Sequence, residues 1–190
     1  LNKFFYAFIR CNIYIEDPEF IHPIIIKSPI TKGNISPYGY LKDVIITKIE
    51  YDFLIQHNIK VEVIDYVGVP HDDNVYPYRD LIYKLFNDRI KYKKNGNKPL
   101  EDMTKRIINS IYGIHYELTP EYEETDEMIK QVGFRAGDFF NPVIASYITA
   151  HTRTYISTIA NNIIENGGKI YLIMTDSITY EGEITLDVIS

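Results

Sequence analysis

Lys105, Asn109 and Tyr112 stand i, i+4 and i+7 apart, a spacing that brings an ammonium, an amide and an aromatic ring onto one face of a helix. Such a face can hold a nucleotide, because a cation suits phosphate oxygens and a flat ring can pack against sugar or base. Arg89 and Lys93 form a second spaced pair, i and i+4, on the preceding helical stretch. Taken alone, a charged helix face is solvated. Asp176 lies between the apolar runs Tyr171–Met174 and Ile178–Tyr180. A carboxylate at the tip of a β-hairpin is where a metal ion can be held against a phosphate, although a turn is also an ordinary place for Asp. His57, His71 and His151 are not at mutual metal spacing, and no Ser, His and Asp grouping points to a hydrolase.

These residues need elements to position them. Ile9, Cys11, Ile13 and Ile15 alternate with polar neighbours and predict a strand, followed by a short apolar run at Pro23–Ile26. Ser28 to Tyr40 reads as a loop rich in Pro, Gly, Ser and Asn; a strand at Val44–Thr47, a helix over Ile49–Gln56 and a strand from Val61 toward Val69 follow. Pro77 opens a helix whose apolar face is Leu81, Ile82, Leu85, Phe86 and Ile90. KKNGNK (Lys93–Lys98) is a turn, and a second helix runs from Pro99, with Glu101 and Asp102 in its first turn, to Gly113. Glu117 to Glu127 reads as an acidic linker. A long helix is predicted from Pro142 to Asn166, with Ile144, Ile148, Tyr155, Ile159 and Ile163 on one side, and Gly167-Gly168 ends it before the strand Lys169–Met174.

The chain has 190 residues, 45% of them apolar, enough for one domain or two joined lobes. Its single cysteine, Cys11, cannot form an internal disulfide, which predicts an intracellular setting. No apolar run approaches the roughly 20 residues that span a bilayer, so no membrane partner is expected. The opening Leu, leading straight into a strand pattern, predicts a chain cut from something longer. A net charge of −6 argues against a dedicated nucleic-acid binder, but the charge is uneven. Arg79 to Arg106 holds nine Lys or Arg against four acids, whereas Glu117 to Glu127 holds six acids and no base, a distribution that can place a basic groove on an acidic protein.

Lys105 to Gly113 resembles the K-x3-N-S-x-Y-G motif of family B DNA polymerases at every defined position: Lys105, Asn109, Ser110, Tyr112 and Gly113. Five specified residue types coincide by chance at on the order of one site in a few million. Thr175, Asp176 and Ser177 match the last three residues of the family's Y-x-D-T-D-S hairpin. Met174 stands where the family usually has its first Asp, and the tyrosine register differs by one. IASYITAHTRTYI resembles the palm helix before that hairpin, and IRCNIYIEDPEFIHPIIIK the palm strands after the first catalytic motif. That motif, D-x-x-S-L-Y-P, is not found. Asp72-Asp73-Asn74-Val75-Tyr76-Pro77 is a near match without the Ser and reads as a loop, so the true motif is expected upstream of Leu1.

The resemblance is to the protein-primed type of phages, linear plasmids and viruses, and it implies an α+β fold: a palm sheet with an inserted α-helical hairpin as fingers. The implied parts are palm strands at 1–27, an insertion like a terminal-protein region at 28–70, fingers at 71–113, an acidic linker at 114–140, and the palm helix with the catalytic hairpin at 141–190. By resemblance, Arg89, Lys93 and Lys105 bind the triphosphate, Asn109 and Tyr112 shape the nucleotide pocket, and Asp176 is the catalytic metal ligand. Ser110, Gly113, Thr175 and Ser177 support the two motifs. Implied partners are primer-template DNA, a dNTP, two Mg²⁺ ions sharing a further upstream Asp, and a terminal protein as primer; the implied setting is intracellular, the host cytoplasm if the chain is encoded by a virus or plasmid. The stretch alone is expected to be inactive. Two rivals stand beside this reading: a non-catalytic remnant that binds DNA or a replication partner, and an unrelated α+β domain.

Overall fold

The computed structural model of the chain describes residues 4–70, 78–124 and 128–182. In chain order the elements are β1 (Phe4–Ile15), β2 (Ile26–Lys27), β3 (Asn34–Ile35), β4 (Gly39–Thr47), α1 (Lys48–Gln56) and β5 (Lys60–Pro70). There follow α2 (Arg79–Lys94), α3 (Lys98–Gly113), a 3₁₀ turn at Ile114–Tyr116, β6 (Leu118–Glu124), β7 (Ile129–Ala136), α4 (Pro142–Glu165), β8 (Lys169–Met174) and β9 (Ser177–Glu181). They gather into two compact units, residues 1–71 with 147–190 and residues 72–146. The fold is α+β, with every sheet antiparallel.

The first unit is built on β1. Its alternation puts Ala7, Ile9, Cys11, Ile13 and Ile15 on one buried face and leaves Arg10 and Tyr14 exposed on the other. β4 pairs with one edge and β5 with the other. Phe53 and Leu54 of α1 close over the buried face with Ile24, Leu41 and Ile46, each large side chain contributing about 1.5–3 kcal/mol when fully buried. α1 begins in a capping box. The Glu50 carboxylate accepts from Thr47 N–H (2.8 Å) and Thr47 Oγ1 (2.9 Å), while Thr47 Oγ1 accepts from Glu50 N–H.

Where β4 turns away into α1, β1 loses its neighbour: the last cross-strand pair is Phe8 with Thr47. Tyr147 of α4 takes over there. Its hydroxyl donates to the Ala7 carbonyl (2.8 Å) and accepts from Ala7 N–H and, at 3.3 Å, from Lys48 N–H in the first turn of α1. One side chain thus serves three backbone groups at a strand–helix fork. Further along α4, Arg153 bonds Glu50 Oε1 (2.5 Å) and the Pro23 carbonyl (3.1 Å). The Asn161 amide bonds Ile21 in both directions, giving to its carbonyl (2.7 Å) and taking from its N–H (3.1 Å). The chain at 20–24 is held by these side chains instead of by a strand partner.

Several expectations need correcting. The segment 28–70 contributes both hydrogen-bonded neighbours of β1, so a boundary at residue 27 divides strands of one sheet. Strand pairing across some 30 residues leaves no local mark. The run Pro23–Ile26 is strand only at Ile26–Lys27, because Pro23 has no N–H to give and the backbone before it is bound to α4. The acidic linker is a β-hairpin, β6 with β7, whose residues alternate as a strand's must although its acids stay in solvent. On α4 the buried residues are Ala145, Tyr147, Ala150, Ile156, Ser157, Ala160, Asn161 and Ile163, while Ile148 and Tyr155 of the predicted stripe are 40% and 52% exposed. Small residues win this face because the backbone of α4 needs close approach for its polar side chains to reach main chain. Pro77, the 72–77 loop and His71 lie outside the described residues.

His22 is buried with its ring fixed: Nδ1 accepts from Ile24 N–H (3.3 Å), so Nε2 carries the proton and faces the Pro37 carbonyl at 2.8 Å. Burial pushes its pKa below the ordinary value, with the Pro37 bond opposing. The unfolded imidazole therefore takes up its proton first, near pH 6.5, and stability is lost as pH falls through about 6.5 toward the lower folded value. Thermal melts from pH 7.5 to 5.5 should show Tm falling in the wild type, with a shallower slope in His22→Gln. Tyr147→Phe, which strands three backbone groups, should cost about 2–3 kcal/mol by urea denaturation, with an unchanged m-value.

Candidate functional site

In the second unit α2 and α3 form a helical hairpin. Asn95, Gly96 and Asn97 make the turn: Gly96 has φ 67°, Asn97 N–H bonds the Tyr92 carbonyl (2.9 Å), and Asn97 Oδ1 caps α3 by accepting from Leu100 N–H (3.3 Å). Lys91, Lys93 and Lys94 occupy the last turn of α2, where the helix dipole favours positive charge. The predicted apolar face of α2 is not buried by this unit, since Leu81, Phe86 and Ile90 are 45–50% exposed. Two helices alone make too thin a layer to cover it.

Lys105, Asn109 and Tyr112 are all exposed along α3. The acids at the start of that helix are engaged by Lys98, which reaches Asp102 (2.9 Å) and Glu101 (3.3 Å). The bond from Lys98 holds the Asp102 carboxyl below its usual range, helped by the charges of Arg106 and Lys105. Among the described residues, Arg89, Lys93 and Lys105 have no ion-pair partner. Three cations on two packed helices thus form no salt bridge among the described residues, Lys105 acting on Asp102 only at longer range.

Ser110 turns its hydroxyl to the Arg106 carbonyl (2.8 Å), a bond within the helix. The Tyr112 ring meets Tyr116 edge to face, with centroids 5.9 Å apart. Gly113 has an ordinary helical φ of −60°, and a Cβ there would meet nothing within 4 Å. Neither backbone conformation nor packing among the described residues requires glycine at this position; its effect is to leave bare backbone beside Tyr112. Sequence reasoning overlooked His115, two residues on. It is 1% exposed, its Nδ1 lies 2.8 Å from the Phe139 carbonyl, and its ring packs on Tyr78. With Asn141 N–H on the His115 carbonyl (3.1 Å), it ties the end of the motif helix to the turn before α4. Its place directly after the motif was the available signal.

In the first unit β8 and β9 form a two-stranded sheet of their own, with Met174 paired to Ser177. Thr175 and Asp176 are the two-residue loop, and Thr175 has φ 44°, the positive value that tight hairpin turns need. Ser177 Oγ closes the loop onto the Met174 carbonyl (3.1 Å). Asp176 is exposed at the tip beside Met174, itself 58% exposed. At the other end Tyr171 donates to Glu181, and Lys169 sits 5.2 Å from the Tyr171 ring centroid. Among the described residues no group of three or more His, Cys, Asp or Glu could hold a metal. The exposed Asp176 carboxylate offers hard oxygen donors of the kind that, one or two at a time, join substrate phosphates around Mg²⁺. No helix among the described residues is long and apolar enough to cross a membrane.

Comparisons with known proteins fit this architecture. Residues 1–166 match the family model for DNA polymerase type B, organellar and viral; the match ends before β8. A DNA polymerase of Acidianus bottle-shaped virus (isolate Italy/Pozzuoli) is 36% identical over 112 residues, 59% of this chain and 14% of that protein. The orthorhombic form of Phi29 DNA polymerase superposes with a TM-score of 0.69 at 20% identity, over all of this chain and 34% of that one. Its ternary complex with primer-template DNA and incoming nucleotides gives 0.70 at 16% identity, over 99% and 34%. The chain thus spans about a third of the solved polymerases it matches. With a family match across most of its length, and a polymerase fold that includes the β8–β9 hairpin, the chain belongs to the type B DNA polymerases of organelles and viruses.

Proposed function

We propose that the protein carries out template-directed DNA synthesis, joining a dNTP to a primer hydroxyl, and that this chain supplies its nucleotide grip and one catalytic carboxylate. The observation that carries the reading is the trio Arg89, Lys93 and Lys105, cations that form no salt bridge among the described residues, on one helical hairpin of an acidic chain. A triphosphate provides the missing charge, through hydrogen bonds stronger than neutral ones. Tyr112, held by Tyr116, offers a ring edge and face to the sugar and base, with Asn109 one turn below as amide donor and acceptor.

Asp176 is the ligand this chain would contribute to Mg²⁺, with a second carboxylate expected upstream. When bound, such ions lower the pKa of an attacking hydroxyl and neutralise charge on the leaving phosphates. The residues of the chain do the rest: Lys105 and Lys93 orient the phosphates, and the hairpin turn aims the Asp176 carboxylate. The primer hydroxyl comes from a DNA strand or, as the sequence resemblance to the protein-primed type implies, from a protein. Met174, an apolar side chain at the tip beside the lone carboxylate, favours one alternative, a non-catalytic remnant that binds DNA or a replication partner.

Primer extension with Mg²⁺ by the full-length protein separates the two. Synthesis by the wild type that falls about 100-fold or more in Asp176→Asn supports the enzyme, whereas an inactive wild type supports the remnant. Lys105→Ala should raise KM for dNTP about tenfold or more, the worth of a charge-assisted bond. Arg89→Ala and Lys93→Ala should each weaken dNTP binding about fivefold or more by equilibrium titration, yet shift stability by under about 0.5 kcal/mol, since neither cation has a salt bridge among the described residues to lose.

A further inference from the structure

The β8–β9 hairpin is hydrogen-bonded to no other sheet among the described residues, so its direction depends on how its base is joined to α4. That joint is made of glycines. Gly167 N–H bonds the Ile164 carbonyl (2.9 Å) and Gly168 N–H the Ile163 carbonyl (2.8 Å), the paired bonds of a Schellman cap, with Gly167 at φ 80°. Gly167 is thus required by conformation. Gly168 is required by space: a Cβ there would lie 2.7 Å from Ile163 Cγ2, 2.9 Å from the Ile163 carbonyl oxygen and 3.0 Å from the Glu181 carbonyl oxygen. From the far strand Gly182 comes in as well, and a Cβ on it would stand 3.0 Å from Gly168 Cα. Ile163 is fully buried and cannot swing aside, and the two carbonyls are main chain, one from the helix and one from β9.

We propose that Gly168 is a positioning residue for Asp176: by letting the last turn of α4 and both strands of the hairpin meet without an intervening side chain, it sets where the carboxylate at the tip stands. The inference rests on the reading of Asp176 as a metal ligand. A methyl group at Gly168 must push β9 away from Ile163 by a few tenths of an ångström, and a hairpin hydrogen-bonded to no other sheet among the described residues carries that displacement to its tip. Misplacement of a reacting group by about 1 Å can cost on the order of 100-fold in rate. The nucleotide grip lies on other elements and should be unaffected.

The test compares wild type, Gly168→Ala, Asp176→Asn and Gly133→Ala in the full-length polymerase; a Cβ at Gly133 meets nothing within 4 Å. Single-nucleotide extension gives kcat and KM. Mn²⁺ binding, followed by electron paramagnetic resonance with a dideoxy-terminated primer-template and dNTP, reports the site without turnover. Gly168→Ala is expected to lower kcat about tenfold or more, to leave KM for dNTP within about threefold, and to weaken Mn²⁺ binding, while Gly133→Ala matches wild type. A folded Gly168→Ala protein with wild-type kcat and Mn²⁺ affinity, beside an impaired Asp176→Asn, overturns the inference and leaves the metal-ligand reading standing. Wild-type behaviour in Asp176→Asn overturns that reading and the inference with it. Should Gly168→Ala lack a cooperative melt, Gly182→Ala replaces it with the same criteria.

Discussion

A strand buried on one face and paired along both edges cannot slip by one residue without turning its whole apolar set to solvent, and β1 is such a strand. Ile9, Cys11, Ile13 and Ile15 are wholly buried, with β4 on one side and β5 on the other. The pairing of β1 on one side ends at the fork where β4 leaves to become α1. Tyr147 closes it, and in doing so joins strand, helix α1 and helix α4 through one oxygen. Arg153 and Asn161 continue the attachment toward the end of α4, so the helix that carries the β8–β9 hairpin is registered on the sheet by directional bonds as well as by packing.

The second unit follows a different logic. It buries little: no residue of α2 and only Thr104 of α3 are fully covered. Its order comes from local devices instead, the Asn97 cap, the positive φ at Gly96, the Lys98 pairs and the His115 anchor. With the acids of α3 bridged to Lys98, Arg89, Lys93 and Lys105 form no salt bridge among the described residues. The cations of this helical hairpin and the acids of the β6–β7 hairpin thus put charge of both signs on one unit.

How much could be read beforehand differs between residues. The alternation of β1 and the helical spacing of Lys105, Asn109 and Tyr112 are periodic local signals, and the elements that contain them formed where periodicity put them. The hairpin turn at Thr175–Asp176 was legible because turn length and flanking apolar runs are local as well. The buried side of α4 was not. Its isoleucines suggested one stripe, but the face that is buried is rich in Ala, Ser and Asn, because reaching the backbone at Ala7 and Ile21 requires close approach rather than bulk. β6 and β7 were missed for the opposite reason: their acids suggested a solvated linker, and a ribbon with both faces in water has no buried side to announce it.

By itself, then, the sequence determined the type and place of most elements and the residues able to do chemistry, because spacing along a helix or around a turn is set by covalent geometry. It also carried the motif that assigns the chain to its family. Only the tertiary structure decided that residues 28–70 share a sheet with β1, that Tyr147 closes the fork, that Arg89, Lys93 and Lys105 form no salt bridge among the described residues, and that Gly168 is a contact point between α4 and β9. Each of these depends on groups distant in sequence or on the absence of a neighbour. Such facts come from the free energy of the whole fold, to which no local window has access.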